Sequence, residues 1–66
     1  MMLVKFTGYH NNKPVEEWNE SFDSAEEATG MLQMLGFWYH PKFDYWSFRD
    51  QESNRIIEKA VIVNVA

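Results

Sequence analysis

Cysteine is absent from this 66-residue chain, which removes disulfide staples, thiolate metal sites and thiol nucleophiles from consideration. Glycine is sparse, and Gly8, Gly30 and Gly36 are too scattered to form a phosphate-cradling loop. No run approaches the roughly 18 apolar residues of a membrane span, so no membrane partner is expected. The start lacks the charged-then-apolar layout of a secretory signal, so a cytoplasmic location is the default expectation. Histidine is limited to His10 and His40, thirty residues apart, with no second ligand at metal-binding spacing. Neither a metal nor any other cofactor is expected. Ser21, Ser24, Ser47 and Ser53 stand in no recognisable nucleophile and base pattern, so an enzyme is not expected either.

What the chain has in quantity is apolar and aromatic surface. A hydrophobic content of 45%, with 17% aromatic residues, is more than a disordered chain carries, so the sequence predicts a folded domain. Residues 1–66 form a single small domain near the lower limit for an unstapled core. Stability must come from packing, with oligomerisation as a possible aid. In length and composition the chain is similar to small proteins encoded by bacteria and their phages.

The net charge of −4 is unevenly laid out. Glu16, Glu17, Glu20, Asp23, Glu26 and Glu27 fall within twelve residues that hold no base, whereas the rest of the chain is balanced or slightly basic. Two readings apply to this block. It is a solvated strand face followed by a helix start that favours carboxylates, or it is an acidic patch that docks a basic, nucleic-acid-binding partner.

Periodicity divides the chain into ββαββ. Residues 2–9 alternate at period two, as do residues 15–22, with Trp18 and Phe22 on one face. Asn11, Asn12 and Pro14 mark a turn between them. A two-residue loop would pair Phe6 with Glu17, whereas a three-residue loop or a bulge pairs Phe6 with Trp18 and keeps both rings on one side. The odd-length loop is the expectation.

Ser24 and Glu27 have capping-box spacing, which opens a helix over residues 25–35. Ala25, Ala28, Met31, Leu32 and Leu35 form its stripe, and Gly36 is placed to end it. Residues 37–41 read as a connection, because His40 precedes a proline. Strands are expected at 43–50 and 55–65, the last one apolar on both faces and therefore central. The predicted fold is α+β: a four-stranded, mostly antiparallel sheet with one helix on one face. The favoured strand order is 2-1-4-3, with strands 2 and 3 running parallel if the helix returns along the sheet.

Residues 37–48 hold seven of the eleven aromatic residues, and a helix about 10 Å across covers only one sheet face. Alternation assigns Met2, Val4, Phe6, Trp18, Phe22, Trp46, Phe48, Val61, Val63 and Val65 to the helix side. The opposite face then collects Leu3, Tyr9, Val15, Phe43, Tyr45, Ile56, Ala60 and Ile62, together with Lys5, Glu17, Arg49 and Glu58. Such a face is too apolar to stand bare in water.

Three readings compete for it. Phe37, Trp38, Tyr39 and the tail fold across it; or it binds a protein partner or a second copy through Leu3, Tyr9, Phe43, Tyr45, Arg49, Ile56 and Ile62; or Tyr9, Phe43 and Tyr45 stack single-stranded nucleic acid. The overall acidity weighs against nucleic acid. The leading expectation is a small non-enzymatic protein-interaction module.

Overall fold

The computed structural model of the chain describes residues 1–64. Val65 and the end of the expected last strand lie outside them. The elements are β1 (Met2–His10), β2 (Lys13–Phe22), α1 (Ala25–Met34), β3 (Trp38–His40), β4 (Tyr45–Arg49) and β5 (Ile56–Asn64). One helix packs on an antiparallel sheet of order β2-β1-β5-β4-β3, an α+β arrangement. The sheet has five strands where four were expected, because Trp38–His40 is an edge strand and not a connection. That extra strand also displaces the anticipated parallel relation. The strand that follows β2 and the helix is β3, and β4 then turns back against it.

The first hairpin reaches the expected pairing by another route. Asn11 and Asn12, with φ of 51° and 64°, form a two-residue turn of the kind in which both central residues have positive φ. Register then shifts between Gly8 and Tyr9: Gly8 faces Glu16 and Tyr9 faces Pro14, which leaves Val15 as the extra residue of a bulge. The bulge, not an odd-length loop, brings Phe6 opposite Trp18. Their rings stack 5.2 Å apart and within 5° of parallel.

Ser24 caps the helix as its spacing predicts, accepting a hydrogen bond from the Glu27 amide at 3.2 Å. The other end is a Schellman motif. Gly36 takes φ of 90°, its amide donates to the Gln33 carbonyl, and the Phe37 amide donates to the Leu32 carbonyl. This reversal turns Phe37 back under the helix, where it is buried with Leu32.

The apolar stripe is narrower than expected. Ala28 and Leu32 are buried, whereas Ala25, Met31 and Leu35 are exposed, because the helix touches the sheet along a single i, i+4 line.

One row crosses all five strands on the helix side. Trp18 faces Phe6, Phe6 faces Ala60, Ala60 faces Trp46, and Trp46 faces Tyr39. Ala60, fully buried, is the small residue between two ring pairs, and Ala28, Leu32 and Phe37 join the same buried cluster. This corrects the expected facing of β5: Ala60 and Ile62 point to the helix, and Val61 and Val63 to the open side. The cause is volume. With Phe6 and Trp46 on either hand, the position between them accepts a methyl group and not an isopropyl one.

Candidate interaction face

A second row crosses the sheet one residue away and on the opposite side. Glu17 faces Thr7, Thr7 faces Lys59, Lys59 faces Ser47, and Ser47 faces Trp38. Strand alternation alone puts these residues on the face that the helix leaves bare. Neither Phe37 nor its neighbours fold across it, since Phe37 enters the core and Trp38 and Tyr39 extend the sheet.

The open face supplies its own partial cover. Lys59 Nζ lies 5.2 Å from the centre of the Tyr9 ring and 5.1 Å from that of Tyr45, within range for a cation held by two ring faces. His40 stacks on Tyr45 at 4.5 Å and 15°. Because β4 lies between β5 and β3, lysine and imidazole approach Tyr45 from opposite sides. The series Tyr9, Lys59, Tyr45, His40 therefore runs across the sheet with both faces of the Tyr45 ring engaged.

Beneath it, His40 Nε2 and Ser47 Oγ share a hydrogen bond of 2.7 Å. Ser47 is only 1% exposed, so this serine and histidine pair is closed to a substrate and satisfies a buried hydroxyl instead.

Of the seven residues proposed from sequence, the fold keeps five on the open side and removes Ile62 and Phe43. Leu3, Tyr9, Tyr45, Arg49 and Ile56 lie on the open side, Leu3 facing Val63 and Arg49 facing Ile56. Arg49 is tied to the adjoining loop by a bond from Nη1 to the Asn54 carbonyl. Ile62 is on the helix side, packed against the core.

Phe43 is not in a strand. It sits in the turn before β4, 69% exposed and 6.4 Å from Tyr45, with Lys42 Nζ over its ring at 5.6 Å. Asp44, with φ of 53°, closes that turn, and its carboxylate accepts from the Tyr39 hydroxyl at 2.8 Å. This bond, a little desolvation and the carboxylate's charge raise the Tyr39 pKa above its usual value.

The clustered acids do not all share a face. Glu16 and Glu20, which pair with Gly8 and Val4, stand on the helix side; Glu17 is on the open side; Glu26 and Glu27 occupy the first turn of α1. Glu58 also points to the helix side, across Gly8 from Glu16. Desolvation and the Glu16 charge push its pKa upward. By the same register the strands place Lys5, Lys59 and Arg49 on the open face against Glu17, so the uncovered sheet of an acidic protein carries a local excess of base.

Sequence reasoning missed Lys59, Val61, Trp38 and the pair His40 and Ser47. The first two would have followed from placing Ala60 under the helix.

Among the described residues there is no group of three or more histidines and carboxylates able to hold a metal ion, and no helix is long and apolar enough to cross a membrane. Comparison of the chain with protein-family models, curated proteins and solved structures finds no match.

Proposed function

We propose that this chain is a small, non-enzymatic, cytoplasmic binding module that engages a protein partner through the sheet face opposite the helix. The observation that carries this reading is the uncovered face itself. It presents the row Tyr9, Lys59, Tyr45 and His40, flanked by Lys5 and by the aliphatic Leu3, Val61 and Val63. Aliphatic area beside aromatic rings and cations is the composition of a protein-binding surface. The excess of base selects a partner with acidic residues around an apolar centre.

Val61 is 40% exposed on this face, and Met34 is 87% exposed on the helix. Immobilised wild-type, Val61→Glu and Met34→Glu chains are to be challenged with a bacterial lysate and the retained proteins compared by mass spectrometry. Partners held by the wild type and by Met34→Glu should fall about tenfold on Val61→Glu. Equal retention by all three rejects the face as the binding surface.

A second reading, single-stranded nucleic-acid binding, gains support from the gathering of Lys5, Lys59 and Arg49 on one face. Against it, both sides of the Tyr45 ring are already occupied, leaving no free stacking surface there. Salt-sensitive anisotropy of a labelled single strand would favour this reading, and no change at low salt removes it. The acidic-mimic reading has the least support, because Glu17 points to the opposite sheet face from Glu16 and Glu20.

A further inference from the structure

The sheet has two free edges, and they are built differently. An edge strand leaves alternate backbone N–H and C=O groups unpaired, and proteins protect long edges with charge, proline and bulges. The β2 edge carries all three, in Glu16, Glu17 and Glu20, in Pro14, and in the bulge at Val15. The β3 edge has none of them: its three residues are Trp38, Tyr39 and His40, with Trp38 74% and Tyr39 44% exposed.

We infer that β3 is a self-association edge, where a second copy of this chain adds its own β3 antiparallel across a two-fold axis at Tyr39. Strand addition supplies main-chain hydrogen bonds, and a two-fold contact must be self-complementary. The sequence of β3 meets that condition. With Tyr39 opposite the partner's Tyr39, Trp38 falls opposite the partner's His40 and His40 opposite the partner's Trp38. No carboxylate or ammonium group faces another of like charge, whereas pairing through β2 would set glutamates against each other in a chain of net charge −4.

On the open side, the series that ends at His40 gains the partner's Trp38 as its next ring. Leu35, 51% exposed, borders the same cleft as Trp38 and adds apolar area beside the axis. A domain whose buried apolar residues, among those described, are Val4, Phe6, Ala28, Leu32, Phe37, Trp46 and Ala60 has a small core, and association extends it. The edge adjoins the open face through Trp38 and His40 but leaves out Val61 at its centre, so Trp38→Lys and Val61→Glu tell the two proposals apart.

Gel filtration with light scattering tests the inference. The wild type should elute at twice its 7.9 kDa chain mass. Trp38→Lys, which places on β3 the kind of charge that guards β2, should raise the dimer Kd by about tenfold or more while leaving the far-ultraviolet circular dichroism unchanged.

The chain has no cysteine, so a single introduced thiol reports its own neighbour. Facing residues of an antiparallel pair have Cα atoms about 4.5–5.5 Å apart, within disulfide reach. Tyr39→Cys should therefore cross-link on mild oxidation, and Asn19→Cys on the β2 edge should not. A wild type monomeric at about 1 mM overturns the inference. So does a dimer that survives Trp38→Lys but dissociates with Val61→Glu, or a Tyr39→Cys chain that cross-links no faster than Asn19→Cys.

Discussion

Two neighbouring rows cross all five strands, one on each face, and they are made of opposite materials. On the helix side, Trp18, Phe6, Ala60, Trp46 and Tyr39 place two ring pairs about a methyl group. On the open side, Glu17, Thr7, Lys59 and Ser47 place polar groups at the same strand positions shifted by one, and Trp38 ends the row at the edge. The first row is held by the helix and by burial; the second is held by contacts among its own side chains and those flanking it. A sheet with one covering helix thus needs two kinds of glue. The hydrophobic effect serves the covered face, and cation, ring and hydrogen-bond contacts serve the bare one.

The sharpest break in the comparison is Phe6→Ala. Phe6 is 3% exposed and contacts the rings of Trp18 and Phe37, so its truncation should cost about 3–5 kcal/mol. A domain of this size has only about 3–10 kcal/mol in total. Chemical denaturation should find the variant largely unfolded in water, and a loss below about 1 kcal/mol would deny the helix-side row its role.

The open-side counterpart is His40→Ala. It removes a stacked ring and strands the buried Ser47 hydroxyl, for an expected loss of about 1–3 kcal/mol. Adding Ser47→Ala should recover part of that loss, which separates the unsatisfied hydroxyl from the lost stacking.

The smallest effect lies where the helix-side face runs beyond its cover. Glu58 has a raised pKa in the fold, so the native state holds its proton to higher pH than the unfolded chain does. The associated stability is fully present below the unfolded pKa and is lost as pH rises through the folded one. Glu58→Gln should therefore stabilise the protein at pH 7 by a few tenths of a kcal/mol, the scale of a like-charge contact in a sheet. It should also flatten the fall in stability between acidic and neutral pH. Asp50, whose pKa is lowered by the Ser53 hydroxyl and the Glu52 amide, acts in the opposite sense. The difference between variant and wild type is thus the quantity to follow, and identical profiles would remove Glu58 from the account.

The parts of this fold legible in the sequence are those whose signal is local. Ser24 and Glu27 mark a helix start by spacing, Gly36 marks its end by its tolerance of positive φ, and the alternation through Trp18 and Phe22 marks β2. Three features needed partners that are distant in the chain. Trp38–His40 is too short for alternation to register, and Pro41 after it reads as a break. β5 is apolar on both faces, and its extra residue at Ile57, where register shifts against β4, interrupts the count from that end. Only Phe6 and Trp46, contributed by other strands, decide that Ala60 and not Val61 goes inside. That one reversal moved Lys59 and Val61 onto the open face and took Ile62 off it, so the candidate site changed more than the fold did.

The place of β5 between β1 and β4 also sets the order in which the molecule can assemble. The β1 and β2 hairpin closes through a two-residue turn, and α1 begins three residues after β2 ends. Both form from near neighbours along the chain. The other side of β1, however, waits for a strand that begins at Ile56, and on that side Met2 is paired only when Asn64 arrives. Closing so long a loop is slow compared with forming a hairpin or a helix. Until it closes, Val4 and Phe6 have a helix above them but an open backbone ladder beside them. The rate of folding, and the time during which that ladder is free to pair with another chain, are therefore governed by the capture of β5.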